Sequence, residues 1–325
     1  MTADRVRWGF LGAGHIAATN VGPAVHRVPG AELRAAAGRD PERTEALGAS
    51  VRHTDYAALV ADEQVDVVYI ALHNSAHAFW ATEALRAGKH VLCEKPLGLS
   101  AAEVRSMADA AAASNRLLVE ASWNRWHPRT RELARLLESR VIGDVRHVEA
   151  VFDGADPAPH DYRRDATLGG GALLDVGCYA IAASLAAHEW AKATVTAVRR
   201  ETWPGGTADR VTEAFLEIGN GTAAISSSLT GEGNETLEIA GSDGTIRLDS
   251  PFTAGRESCA LVIRTAGGTE SVRFPPVDPY GIMAAEMTRA VARGASSAFL
   301  VPLEQSLAVA ETMDSVASRA GHRPA

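Results

Sequence analysis

The first third of the chain alternates short apolar runs with segments of helical periodicity. Arg5 to Leu11 (RVRWGFL), Ala31 to Ala37 (AELRAAA), Val65 to Ala71 (VDVVYIA), His90 to Cys93 and Leu117 to Ala121 predict strands. His15 to Val28, Pro41 to Leu47, Ala76 to Ala87 and Ser100 to Ser114 predict helices, the first with a break at Gly22-Pro23 and a stop at Pro29-Gly30. VDVVYIA is apolar almost throughout, as expected of a strand covered on both faces. Strands alternating with helices in this way predict a parallel, doubly wound sheet.

The rhythm changes after about residue 123. A helix is predicted over Arg129 to Ser139, followed by longer strand-like stretches. These are Val145 to Phe152, Thr194 to Thr202, Val211 to Ile218, Ala223 to Leu229, Thr236 to Ala240, Gly244 to Asp249, Cys259 to Thr265 and Glu270 to Phe274. Turn signals such as Gly219-Asn220-Gly221 separate several of them and predict an antiparallel sheet. One helix, in the stretch GGGALLDVGCYAI (Gly169 to Ile181), interrupts the strands, and helices over Ile282 to Gly294 and Leu303 to Ala320 close the chain. The fold class is therefore α/β. A Rossmann-type parallel sheet spans 1–123, and an α/β domain with a large open, mainly antiparallel sheet spans 124–325, with no repeats and no low-complexity linker.

Composition narrows the function classes. The 325 residues are 46% hydrophobic and 22% charged, which describes a globular protein. The net charge of −8 (32 basic against 40 acidic residues) argues against a nucleic-acid partner. The N-terminal apolar run is too short for a signal peptide, and no run approaches the roughly 20 apolar residues of a membrane span. Three scattered cysteines without a CxxC pair fit a cytoplasmic protein with free thiols and no metal site.

Gly12-Ala13-Gly14-His15-Ile16-Ala17 matches GxGxxA between the first strand and the first helix. Glycines there allow a tight turn and let a pyrophosphate approach the helix N-terminus, with His15 and Ile16 opening the helix. The second strand ends in Gly38-Arg39-Asp40-Pro41-Glu42. An acid at this tip favours the ribose hydroxyl of NAD, an arginine the 2′-phosphate of NADP. Asp before Pro is a good helix N-cap, which leaves Arg39 free and favours NADP, with NAD as the alternative. Asn74 and His77 follow the VDVVYIA strand at the same edge and are candidate cofactor contacts. Cys93-Glu94-Lys95-Pro96 places a lysine at the carboxyl end of another strand, where ligands bind in such sheets, with Glu94 as its candidate ion partner. Asp175 and Tyr179, four apart, share one face of an otherwise apolar helix.

Together these segments resemble the Gfo/Idh/MocA oxidoreductase family. The resemblance runs over GAGHIA, HNSAHAFWATEALRAGKHVLCEKPL, GGGALLDVGCY and VPLEQSLAVAETMDSV, nearly the whole chain. The wording of GGGALLDVGCY and EASWNRWHPRT is most similar to the branch of dimeric dihydrodiol dehydrogenases, NADP-dependent xylose dehydrogenases and glucose–fructose oxidoreductase. The chain departs from that branch at Ser122 and Asn124, which leaves the substrate open. The resemblance implies hydride transfer between a nicotinamide and a hydroxyl or carbonyl carbon of a sugar, polyol or cyclic diol. It implies a catalytic lysine at Lys95, an Asp/Tyr pair at Asp175 and Tyr179, and a homodimer or homotetramer formed through the C-terminal sheet. An ammonium beside a phenol lowers its pKa, so Tyr179 could carry the proton beside Lys95; the reverse assignment fits equally. Asp175 holds the substrate or orients Lys95 in either case. Arg125, His127 and Arg163 are candidate substrate contacts. The competing readings are a ketoreductase acting on a nucleotide-linked keto sugar, whose diphosphate would need Arg125, Arg129, Arg131 and Arg163 to converge, and a cofactor-binding sensor without turnover.

Overall fold

The structure is a computed structural model that describes residues 5–255, 257–294 and 301–321. Six strands form the first sheet: β1 (Val6–Leu11), β2 (Ala31–Ala37), β3 (Val51–His53), β4 (Val67–Ile70), β5 (His90–Cys93) and β6 (Leu118–Glu120). Their order is β3-β2-β1-β4-β5-β6 and every pairing is parallel. The order reverses between β1 and β4, so a crevice opens at the carboxyl ends of these two strands. Helices α1 (Gly22–Arg27), α2 (Pro41–Ala46), α3 (Tyr56–Ala61), α4 (His77–Arg86) and α5 (Ala101–Ser114) lie between the strands.

The predicted break at Gly22-Pro23 is not a break. Pro23 cannot donate a backbone hydrogen bond, and the chain absorbs this with a π-helical turn over Ala17–Val21. The Gly22 N–H reaches back five residues to the Ala17 carbonyl, and α1 continues with Pro23 in its first turn. Sequence pattern also passed over β3 and α3, which are short and carry little periodicity.

Eight strands form the second sheet: β7 (Val145–Asp153), β8 (Ala193–Thr202), β9 (Asp209–Ile218), β10 (Gly221–Ser228), β11 (Glu235–Gly241), β12 (Gly244–Asp249), β13 (Cys259–Thr265) and β14 (Gly268–Phe274). Their order is β14-β13-β12-β11-β7-β10-β9-β8, antiparallel except for β7 with β10. Burial alternates along them: Val148, Ala150 and Phe152 on β7, Ala223 and Ile225 on β10, and Leu237 and Ile239 on β11 are buried, with their neighbours partly open. Such alternation marks a sheet with one packed face. Helix α6 (Pro128–Glu138) precedes β7, and α7 (Cys178–Ala187) packs on β7 and β10. The stretch Ala166–Ala187 is long and apolar enough to cross a membrane, but 78% of it is buried in the protein, as for a core helix. Helices α8 (Pro279–Arg293) and α9 (Leu303–Arg319) end the described chain.

The chain divides into two compact units. The first takes the six-stranded sheet and also 278–294 and 301–306, beyond the N-terminal stretch 1–123. Helix α8 packs there: the Trp8 indole donates to the Thr288 hydroxyl at 3.3 Å, and Tyr280 stacks on Trp123 at 5.0 Å. The second holds the eight-stranded sheet, α6, α7 and 307–321.

Gly171 closes the turn before the π–α helix that carries Asp175. Its φ is +116°, and a Cβ there would lie 2.1 Å from Asp209 Oδ1. Gly171→Ala is therefore expected to cost roughly 1–3 kcal/mol of stability through backbone strain, with the clash adding to it. Gly205→Ala, also at positive φ but with nothing within 4 Å, should cost less. Urea denaturation of the two variants checks the ranking.

Candidate active site

In the first unit the glycine turn sits at the β1/β4 reversal. Gly12 has φ +97°, and a Cβ there would lie 2.3 Å from the Ala71 carbonyl oxygen at the end of β4, so only glycine fits. Gly14 faces open space, with Ala71 O at 3.8 Å the sole neighbour a Cβ would meet within 4 Å. The helix opens at His15, which is exposed, while Ile16 packs partly against the core. A backbone bare of side chains running into a helix N-terminus at the sheet's reversal point fits a dinucleotide pyrophosphate.

At the tip of β2, the Asp40 carboxylate accepts from the Glu42 and Arg43 amides at 3.0 and 3.1 Å, with Pro41 at the first helical position. Asp40 is the N-cap of α2, as its sequence context suggests. Arg39 beside it is exposed. His73, on the loop after β4, has its pKa lowered first by burial and then by the charge of Arg39, so the two share the cofactor edge.

The Lys95 segment is held by buried polar groups. Lys95-Pro96 is a cis peptide bond. The buried Glu94 accepts from the Tyr69 hydroxyl at 2.7 Å and from the Lys95 amide at 3.3 Å. Burial raises its pKa, while the Tyr69 hydrogen bond and the Lys95 charge pull it down. His77 is fully buried, with Nδ1 2.9 Å from the Pro96 carbonyl and Nε2 3.2 Å from the Leu72 carbonyl. Burial lowers its pKa to about 4, so it is neutral near pH 7 and ties two loops together. Glu120, which the sequence reading passed over, accepts from the Leu97 amide at 3.0 Å and the Ser306 hydroxyl at 2.6 Å. Asn74 is buried at the start of the turn preceding α4. Arg125 donates to Gln305, and burial lowers its pKa to about 10 against the pull of Glu120.

In the second unit Asp175 lies in a π-helical turn, Leu173–Gly177, that runs directly into α7. Tyr179 is on the first turn of α7, and both residues are buried. Arg163 Nε donates to Asp175 Oδ2 at 2.9 Å, and its Nη1 reaches Asp161 at 3.2 Å. Burial alone would lower the Arg163 pKa, but Asp175, Tyr162 and Asp161 outweigh it and hold it well above the ordinary value. The glycine run serves this pairing. A Cβ on Gly170 would lie 2.4 Å from Tyr162 O and 2.6 Å from Arg163 O, so the loop carrying Arg163 rests on bare backbone. Asp209, another residue without a sequence signal, accepts from the Leu173 amide at 2.8 Å and the Thr212 hydroxyl at 2.7 Å.

His127 is the N-cap of α6: Nδ1 accepts from the Arg129 amide at 3.0 Å, and Nε2 lies 3.9 Å from Cys259 Sγ. Burial, then Arg129, lowers its pKa to about 4. Arg129 is buried and donates to the carbonyls of Asp249, Ser250 and Ala260. A cavity of about 160 Å³ borders the π-helical turn that carries Asp175 and is lined by Leu173, Leu174, Met313 and Val316 among others; neither Asp175 nor Tyr179 lines it.

A 3-2-1-4-5-6 parallel sheet with a bare glycine turn at its reversal point defines a dinucleotide-binding protein. Residues 6–122 match the family described as "Oxidoreductase family, NAD-binding Rossmann fold", and residues 130–247 match the GFO/IDH/MocA C-terminal domain. The chain belongs to the Gfo/Idh/MocA oxidoreductase family. An oxidoreductase from Rhizobium meliloti is 33% identical over 96% of both chains. A D-xylose 1-dehydrogenase (NADP(+)) from Haloferax volcanii is 34% identical over 95% of both. Among solved structures, a 3-ketoreductase from Actinomadura kijaniata in complex with NADP and TDP-benzene superposes with TM-score 0.89 at 29% identity, over 98% of both chains.

If Asp40 is a cap and not a cofactor ligand, Asp40→Ala should cost about 0.5–2 kcal/mol of stability. Dinucleotide affinity should stay unchanged. Denaturation midpoints and fluorescence titration with NADP and NAD measure the two effects separately.

Proposed function

We propose that the protein is an NADP-dependent oxidoreductase acting on a hydroxyl or carbonyl carbon of a sugar, polyol or cyclic diol. The observation that carries the cofactor choice is the capping of α2 by Asp40, which leaves the exposed Arg39 as the group for a 2′-phosphate. The NADP-dependent xylose dehydrogenase and the NADP-bound ketoreductase are similar proteins of the same family and support that choice. Gly12, Gly14, His15 and Ile16 form the pyrophosphate turn, and Asn74 and Glu94 line the nicotinamide end.

The bound nicotinamide takes or gives the hydride. The chain's own residues handle the proton. In alcohol oxidation the substrate hydroxyl proton passes to Tyr179, and in reduction it returns. The ammonium of Lys95 stabilises the phenolate form. Asp175, held by Arg163, orients the substrate hydroxyl. His77 and His127 are engaged with backbone in their own units and serve as positioning residues. Arg125 is the remaining substrate contact from the first unit. The sheet face opposite α7 carries Phe215, 56% exposed, and is the surface for assembly into a homodimer or homotetramer. The acidic, cysteine-poor composition supports a cytoplasmic protein that acts on small molecules.

A second reading, reduction of a nucleotide-linked keto sugar, is favoured by the likeness to the 3-ketoreductase. It requires a basic groove for a diphosphate. Against it, Arg129 is engaged by three backbone carbonyls and Arg163 by two carboxylates.

Reduced-nicotinamide absorbance against a panel of aldoses, inositols and diols tests the reading, with turnover expected for NADP. Lys95→Ala should lower the rate about 10²–10⁴-fold while NADP still binds. Full turnover in that variant would remove Lys95 from the chemistry. Arg39→Ala should weaken NADP by about 1.5–3 kcal/mol and leave NAD nearly unchanged. An equal loss for both cofactors would contradict the 2′-phosphate role.

A further inference from the structure

Tyr179 sits among aromatic rings. Phe152 of β7 lies 5.5 Å from it, and Phe252 lies 5.9 Å away. Phe152 and Phe252 stack on each other at 5.3 Å, with their planes 18° apart. Phe252 is 1% exposed although it belongs to the loop between β12 and β13. Loops ordinarily run over the surface and move more than the elements they join. This one is fastened at two places by charged side chains from other elements. Arg129 of α6 holds its start, donating Nη1 to Asp249 O at 2.9 Å and Nη2 to Ser250 O at 2.7 Å. Glu235 of β11 holds its middle, where Oε2 accepts from the Phe252 amide at 2.9 Å and the Thr253 amide at 3.1 Å. Between the two grips the chain turns through a left-handed residue, Ser250, with φ +45°. Burying a guanidinium against carbonyls, and bending a non-glycine residue to positive φ, both cost free energy. Among the side chains the loop turns inward is the Phe252 ring, set against Tyr179.

We infer that the loop 249–255 is a positioning device for Tyr179: Phe252, pinned by Glu235 and Arg129, fixes the orientation of the tyrosine ring and so the direction of its hydroxyl. The inference rests on the reading that Tyr179 carries the proton. A ring free to rock on its χ angles would present the hydroxyl at varying distance, and a misplacement of about 1 Å can cost about 10²-fold in rate. Glu235 holds the loop by its amides, so its influence passes through the loop backbone. His127 belongs to the same device at one remove, because it caps the helix that presents Arg129.

The test uses full-length protein labelled with 3-fluorotyrosine, the Tyr179 signal being assigned by its loss in Tyr179→Phe. In the native protein the two ring orientations should exchange slowly and give separate fluorine signals. Phe252→Leu and Glu235→Ala should merge them, and Glu235→Gln, which keeps the accepting oxygen, should restore the native pair. Slow exchange persisting in both Phe252→Leu and Glu235→Ala would overturn the inference. With NADP and the best substrate from the aldose, inositol and diol panel, Phe252→Leu should lower kcat about 10- to 100-fold at unchanged KM for NADP. It should add nothing in a Tyr179→Phe background. Full additivity of the two substitutions would also overturn the inference. Native kcat in Tyr179→Phe alone would instead refute the proton-carrier reading, leaving the fluorine exchange to judge the loop.

Discussion

The ion pair between the half-buried Arg163 and the buried Asp175 is the constraint around which the second unit is arranged. A carboxylate withdrawn from water needs a partner, and removing that partner leaves a charge that the apolar surroundings cannot accommodate. Arg163 lies on a short turn twelve residues before Asp175. It reaches the carboxylate because Gly170 lets the loop lie directly on the helix entrance, where any side chain would strike the carbonyls of 162 and 163. Gly171 then turns the chain, and Asp209 caps the amide of Leu173 from the facing strand. The helix therefore starts with a fixed register, and Asp175 and Tyr179 emerge adjacent on one side.

The first unit holds its candidate lysine with hydrogen bonds among buried side chains. Lys95 follows a buried strand, so the groups around it are also buried and must be satisfied. Tyr69 donates to Glu94, Glu120 takes the amide of Leu97, and His77 bridges the carbonyls of Leu72 and Pro96. Three side chains from three elements thus fix one loop of four residues. The polar groups buried here act on geometry more than on stability, because each could be replaced by an apolar residue only by freeing the loop.

Much of this was legible in the chain. Apart from the short β3, both sheets follow from periodicity: near-continuous apolar runs for the parallel strands, alternation for the others. The glycine turn and the Asp-Pro cap are local patterns, and Asp40 performs the role its neighbours imply. What stayed hidden depends on contacts far apart in sequence. Glu120 meets Ser306 across 186 positions, and Glu235 meets Phe252 across 17, with no periodicity to announce either. The π-turn at Ala17–Val21 shows a different limit, since Gly-Pro reads as a helix break unless a wider turn absorbs the missing donor. His77 and His127 stood out in the chain only as candidate contacts; the carbonyls of Leu72 and Pro96 and the amide of Arg129, which they hold, carry no signal in the sequence.

The most direct test of the account is the pH profile of kcat for alcohol oxidation in the native protein and in Tyr179→Phe, at saturating NADP. The account predicts that the native rate rises through a limb belonging to Tyr179 and that this limb disappears, with a large fall in kcat, when the hydroxyl is removed. Superimposable profiles at equal kcat would contradict it and would move the proton to another group.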